Sequence, residues 1–307
     1  MNEIIKIDKI LLDNLCSIID KARQQVAVSV SNTMTMMYWH IGDTIHTYVL
    51  EGQRAAYGQQ IVSTLSTKLT ELYGKDFTDR NLRRMIQFSQ AFPKVEIVST
   101  LSTKLYWSHF MEVLPLKDNL AREFYVTMAA SEHWSVKRLR KEIDSMLFER
   151  TIISRKPEDF IRAELATLRD DNRLSPDLVF KNPYFLDFTG LTGFYQERDL
   201  EDMLLNGIQQ FLMELGSGFT FVERQKRMII DGEDFRLDLL FYHRKLRRLI
   251  AIDLKRTRFK PAYKGQMELY LRYLDKHERN EGEESPLGLL LCAEGSNEQI
   301  ELLQLED

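Results

Sequence analysis

Two short apolar runs, FRLDLLFY at Phe235 to Tyr242 and RLIAIDLK at Arg248 to Lys255, are each broken by one aspartate. Both have the length and the Leu, Ile and aromatic content of strands. A buried strand wants Val, Ile or Leu at such positions, so a carboxylate there needs a compensating partner. Side chains alternate along a strand, which puts Leu249, Ala251, Asp253 and Lys255 on one face and Ile250, Ile252 and Leu254 on the other. In the first run Asp238 shares a face with Arg236, Leu240 and Tyr242. A short turn around Arg244 to Arg247 would lay the runs antiparallel and bring Asp238 close to Asp253.

Two carboxylates converging beside a lysine make physical sense if a hard divalent cation sits between them. Mg²⁺ prefers oxygen ligands and keeps several waters, one of which can attack a phosphodiester, while the ammonium steadies the developing negative charge. The bland alternative is a buried ion pair of Asp253 with Lys255 or a neighbouring arginine. Asp253-Leu-Lys255 is the only acid-x-Lys triplet in the sequence, and it closes an apolar strand. Upstream, Asp199 to Leu215 sets Glu201, Leu205, Ile208 and Leu212 on one helical stripe, so Glu201 faces the core and Asp202 does not. Downstream, Gly265-Gln266 opens a helix on which Gln266 and Tyr270 stack four residues apart.

The element order, helix (199–215), strands (219–230, 235–243, 248–255), helix (264–275) and strand (287–292), resembles the αβββαβ core of the PD-(D/E)XK nucleases. The Gln266-x-x-x-Tyr270 spacing resembles the QxxxY motif of RecB-type members. With WSVKRL at Trp134 to Leu139 and FKPAYKGQM at Phe259 to Met267, nearly the whole chain resembles the bacterial YhcG family of predicted nucleases. That resemblance implies Asp238, Asp253 and Glu201 as metal ligands, Lys255 as the catalytic lysine, and Gln266 with Tyr270 in support. Leu237 stands where the superfamily name has a proline, a position that varies widely.

At 307 residues the chain exceeds a single ordinary core, and two domains are expected. The expected division is a helical domain over 1–153, a linker with a short helix over 154–181, where Pro157 and Pro176 punctuate a polar stretch, and an α/β nuclease domain over 182–307, hence α+β overall. FLDF at Phe185 to Phe188 would open the second domain as an extended segment. No apolar run reaches the roughly 18 residues that span a bilayer. MNEIIKIDKI has no signal-peptide pattern, so the expected compartment is the cytoplasm. Cys16 and Cys292 lie too far apart in sequence to suggest zinc, and they suggest reduced thiols.

A net charge of −4 does not announce a nucleic-acid binder, but its distribution does more. From Arg244 to Lys264 there are nine basic residues against one acid. Arg256, Arg258, Lys260 and Lys264 follow the catalytic strand and are expected to contact phosphates, giving sequence-independent, salt-sensitive affinity. The first 150 residues read as helices: Ile4 to Val30, Thr33 to Leu50, Gln53 to Tyr73, Asp79 to Ala91 behind a Thr78 N-cap, Asn119 to Ala130, and Ser135 to Thr151. Gln53 to Ala91 is either a candidate helix-turn-helix that reads DNA through Arg80, Arg83 and Arg84, or an ordinary helical hairpin with a solvated arginine face. The nonapeptide IVSTLSTKL occurs twice, at Ile61 to Leu69 and Ile97 to Leu105, and suits core packing in both places. Leu287 to Gly295 reads as a buried strand, and Ser296 as the cap of a last helix through Leu305.

These features, with the family resemblance, lead to the expectation of a Mg²⁺-dependent nuclease, with Mn²⁺ able to substitute. DNA is the expected substrate, and genome defence or DNA processing the expected setting. A homodimer or a defence-system partner fits the same class. The alternative is a non-catalytic nucleic-acid-binding or assembly subunit of a restriction complex. Degenerate nuclease folds usually lose an acid or the lysine, and this chain carries the full set.

Overall fold

The computed structural model describes residues 29–48, 58–181, 208–255, 259–294 and 297–304. The chain divides into two compact units, Met1–Ile143 and Asp144–Asp307.

The first unit is helical. α1 covers 29–48 and is followed by α2 (Gly58–Tyr73), α3 (Asp79–Ala91), α4 (Val95–Ser102), α5 (Trp107–Val113), α6 (Asn119–Ser131) and α7 (Val136–Asp144). A break was expected between Val30 and Thr33, yet residues 29–48 form one uninterrupted helix. The hydroxyls of Thr33 and Thr35 donate to the carbonyls of Ser29 and Ser31, each at 2.9 Å, so these polar residues are satisfied without leaving the helix. The remainder of the expected Ile4 to Val30 helix lies outside the described residues. α3 has the expected bounds, with Thr78 extended at its N-cap, although the Thr78 hydroxyl makes no capping bond. Its Leu82, Met85 and Phe88 are buried. Gly42 permits close approach of α1 to α3, since a Cβ there would lie 1.9 Å from the Met85 carbonyl oxygen. Phe88 also packs against Trp107 and Phe110.

Ser135 caps α7 as expected, its Oγ accepting from the Arg138 amide at 3.2 Å. The helix does not run on to Thr151. Met146 adopts a left-handed conformation (φ 54°), and a separate turn, α8 (Leu147–Arg150), follows. The break falls where one compact unit gives way to the next, and Leu147 and Phe148 are buried after it.

The second unit continues with α9 (Glu158–Asp171), which buries Ile161, Leu165 and Leu168, and then α10 (Ile208–Leu215). Between them Phe180 joins the core cluster of Phe211, Leu239, Phe241, Ile250 and Leu289. Glu214 on α10 forms ion pairs with Arg150 and Lys181. The expected extended segment at 185–188 lies outside the described residues.

The sheet has the order β1-β2-β3-β4-β5: β1 (Phe219–Ile230), β2 (Glu233–His243), β3 (Arg248–Lys255), β4 (Leu287–Glu294) and β5 (Asn297–Gln304). β3 and β4 are parallel and the other neighbours antiparallel. The parallel pair needs a crossover, which α11 (Pro261–His277) supplies. β3 is buried on both faces, which explains its near-continuous apolar run. Leu239, Phe241, Ile250, Ile252 and Leu254 pack with α10 residues Phe211 and Leu215, while Leu240, Leu249, Ala251 and Leu290 meet Met267, Tyr270, Leu271 and Leu274 of α11. Burying side chains of that size contributes about 1.5–3 kcal/mol each. Gly288 on β4 seats α11, because a Cβ there would come within 2.4 Å of the Met267 side chain.

The expected C-terminal helix is not formed. Asn297–Gln304 is a strand that pairs along the whole of β4, from Glu294↔Asn297 to Leu287↔Gln304. Glu, Gln and Leu favour a helix locally, but the free edge of β4 offers a full ladder of backbone partners, and that tertiary gain outweighs propensity. The result is a helical unit followed by an α/β unit, with the expected order of helix, three strands, helix and strand and one further edge strand.

Candidate active site

The turn at Arg244 to Arg247 folds β2 back on β3 in the register Leu239↔Ile252 to His243↔Arg248. Extending that register by one residue sets Asp238 opposite Asp253. Asp253 is 2% exposed, and Lys255, two residues on and on the same face, brings its Nζ to 2.8 Å from Asp253 Oδ2. Asp238 Oδ2 accepts from the Leu254 amide at 2.8 Å, tying β2 to the amide between Asp253 and Lys255. Burial, and then the neighbouring Asp253 carboxylate, push the Asp238 carboxyl up to about 7, against the lowering effect of the Leu254 amide. Two carboxylates held together at partial burial resist sharing full charge.

α11 supplies the opposite wall. Gln266 and Tyr270 meet as their four-residue spacing requires: Gln266 Nε2 donates to the Tyr270 hydroxyl at 2.6 Å, and that hydroxyl donates to the Arg236 carbonyl at 3.2 Å. Burial and the Asp253 charge raise the Tyr270 phenol to about 12, so it stays a neutral donor. α11 is thereby bonded to the strand that carries Asp238.

The structure brings Asp238, Asp253, Lys255, Gln266 and Tyr270 together around one end of β2 and β3. Lys260 and Lys264, at the start of α11, are exposed, with Lys264 3.8 Å from Glu268. Glu201, Arg256 and Arg258 lie outside the described residues. Arg80, Arg83 and Arg84 belong to the other compact unit, where Arg83 is held by Asp79 at 2.6 Å.

Two residues escaped the sequence reading. Tyr263 lies under both Lys255 and Lys260, whose ammonium groups are 5.4 and 5.9 Å from its ring centre. Its position one turn before Gln266 on the same helix was an available signal. Gln225 donates to Asp238 Oδ1 at 3.0 Å from the neighbouring strand β1, and nothing in its local sequence marks it.

The donor set suits a hard divalent cation: two carboxylates, oxygen donors whose mutual repulsion such an ion would relieve. Among the described residues no three or more acidic, His or Cys side chains are grouped so that they could hold a metal ion. Mg²⁺ tolerates this, since it is commonly bound by one or two carboxylates and completes its shell with waters.

A helix, a three-stranded meander, a crossover helix and a parallel strand, with two acids and a lysine at the end of the central strands, define a nuclease domain of the PD-(D/E)XK class. The comparisons agree: residues 14–150 match the DUF1016 N-terminal domain and residues 177–306 the YhcG PDDEXK nuclease domain. The chain is 34% identical over 312 residues to an Escherichia coli (strain K12) protein named "Putative nuclease YhcG", covering 92% of this chain and 82% of that one. No solved structure matches. The chain belongs to the YhcG family, and its C-terminal half is a PDDEXK nuclease domain. Among the described residues no helix is long and apolar enough to cross a membrane.

Proposed function

We propose that this chain is a divalent-metal-dependent deoxyribonuclease that hydrolyses phosphodiester bonds. The observation that carries the reading is the pairing of Asp238 with Asp253, with Lys255 Nζ 2.8 Å from Asp253. Asp238 and Asp253 would hold Mg²⁺ or Mn²⁺, with Glu201 as the third acid. The ion, when bound, would polarise the scissile phosphate and lower the pKa of a bound water.

The chain's own residues do the rest. Lys255, held by Asp253 and by the Tyr263 ring, offers its ammonium to the negative charge that grows on the phosphate oxygens, a role in which a preorganised donor is worth more than a solvated one. Because Asp238 is raised by burial and by Asp253, it must lose its proton before it can serve as a ligand. Tyr270, bonded to Gln266 and to the Arg236 carbonyl, fixes α11 against β2 and so holds the distance between Tyr263 and Lys255. Lys260, Lys264, Arg256 and Arg258 contact the flanking phosphates, which makes binding fall steeply with salt.

The helical unit selects the substrate or docks to a partner, and Arg80 and Arg84 are the residues on α3 to test first. A dimer would allow both strands of a duplex to be cut. DNA rather than RNA, and a setting in genome defence or DNA processing, follow from the same class. The experiment is cleavage of end-labelled duplex, single-stranded and branched DNA and of RNA, with Mg²⁺ and with EDTA. Cleavage of DNA that EDTA stops supports the reading. Cleavage of RNA alone, or cutting unaffected by EDTA, contradicts it.

A further inference from the structure

Gln225 is set apart by three independent observations. It has φ 50°, a left-handed conformation that a side chain other than glycine adopts at a cost. The other non-glycine residues with positive φ among those described, such as Met146, Asn172, Asp231 and Arg247, sit at helix ends or turns, whereas Gln225 lies inside β1. Its place in the register is equally specific: Arg224 pairs with Leu239 and Lys226 with Leu237, so Gln225 stands across from Asp238. Finally, its Nε2 donates to Asp238 Oδ1 at 3.0 Å.

The chemistry of that contact is selective. A carboxylate held only at Oδ2 by the Leu254 amide can still turn about its last side-chain bond. A second donor on Oδ1 restrains the turn, and an ionised carboxylate held in this way keeps acceptor capacity for a cation. The donor is an uncharged amide, so Asp238 is oriented without being neutralised, as a lysine or arginine in that place would do. β1 carries an unfavourable backbone angle at the one residue that delivers this amide.

We propose that Gln225 is a positioning residue that clamps Asp238 from the adjacent strand, so that its oxygens converge with those of Asp253 on a divalent cation. This rests on the metal-site reading above. Partners that orient metal ligands from behind typically change affinity 10–100-fold when removed.

The test is Mn²⁺ titration of the full-length chain, followed by the paramagnetic resonance of the free ion, with a thermal melt of each protein in EDTA. Native chain, Gln225→Gly, Gln225→Met and Asp253→Ala are compared. Glycine accepts the positive φ and removes the amide, while methionine keeps the length and removes the donor. The expected result is a Mn²⁺ affinity weakened about tenfold in both Gln225 variants, with Gln225→Gly melting close to the native temperature. Native affinity in both, or losses that only track a lowered melting temperature, would overturn the positioning role while Asp253→Ala still shows the site to be real. A native chain that binds no Mn²⁺, or Asp253→Ala that binds it undiminished, overturns the metal site and the positioning role together.

Discussion

Replacing Asp238 with asparagine should stabilise the metal-free protein at alkaline pH. In the folded chain burial and the Asp253 charge raise the Asp238 carboxyl from an ordinary 3.8 to about 7. The native state therefore holds a proton that the unfolded state releases, and stability from this group is present below the unfolded value and lost as pH rises through about 7. Each unit of difference corresponds to about 1.4 kcal/mol, so the full penalty is on the order of 4 kcal/mol. Asparagine keeps an oxygen for the Leu254 amide, and Gln225 can turn its own amide to present oxygen to the new NH₂. A gain of about 2 kcal/mol at pH 8 allows for partial solvation, and for a unit of this size that is a rise of roughly 4–8 °C. The assay is a thermal melt in EDTA at pH 8 and at pH 5. At pH 5 native Asp238 is protonated while the unfolded carboxyl is already ionised, so the gain should shrink to less than half, vanishing only below about 3.8. An Asp238→Asn protein no more stable than native at pH 8, or equally stabilised at both values, would refute a carboxyl pair under charge strain.

Three further outcomes follow from the packing and the site. Gly42→Ala drives a Cβ into the Met85 carbonyl and should cost about 3 kcal/mol or more, read as a lowered melting temperature of the helical unit. Tyr270→Phe removes the hydroxyl between Gln266 and the Arg236 carbonyl and should cost about 1–2 kcal/mol by denaturant titration, together with a fall in cleavage rate. Tyr263→Phe should keep near-native cleavage, whereas Tyr263→Ala should lower it severalfold, about the 0.5–1 kcal/mol of a cation–π contact; equal rates for both would remove Tyr263 from the account.

The strands that carry the site were legible because each apolar run contains a residue it should not have. Asp238 and Asp253 interrupt β2 and β3, and alternation alone put Asp253 and Lys255 on one face, where their ion pair is found. The i, i+4 geometry likewise gave the Gln266–Tyr270 bond. What escaped depends on distant partners. β5 is written in helix-favouring residues and becomes a strand because β4 has an open edge. The duplicated nonapeptide shows the limit within one chain: Ile61 to Leu69 lies wholly inside α2, while the same residues at Ile97 to Leu105 leave α4 after Ser102. Thr-Glu-Leu follows the first copy and continues the helix, whereas Tyr106 caps a new one after the second. Gln225 was beyond reach for a different reason, since its role resides in a backbone angle and a cross-strand register that no neighbouring residue announces.

The central claim is that Asp238, Asp253 and Lys255 form one metal-dependent phosphodiesterase site. It is tested most directly by cleavage of duplex, single-stranded and branched DNA with Mg²⁺ or Mn²⁺, comparing the native chain with Asp253→Ala and Lys255→Ala. The account predicts metal-dependent cutting by the native chain that falls at least a hundredfold in both variants, the order of loss on removing a transition-state donor. Cutting that survives either substitution, or that proceeds in EDTA, would contradict it.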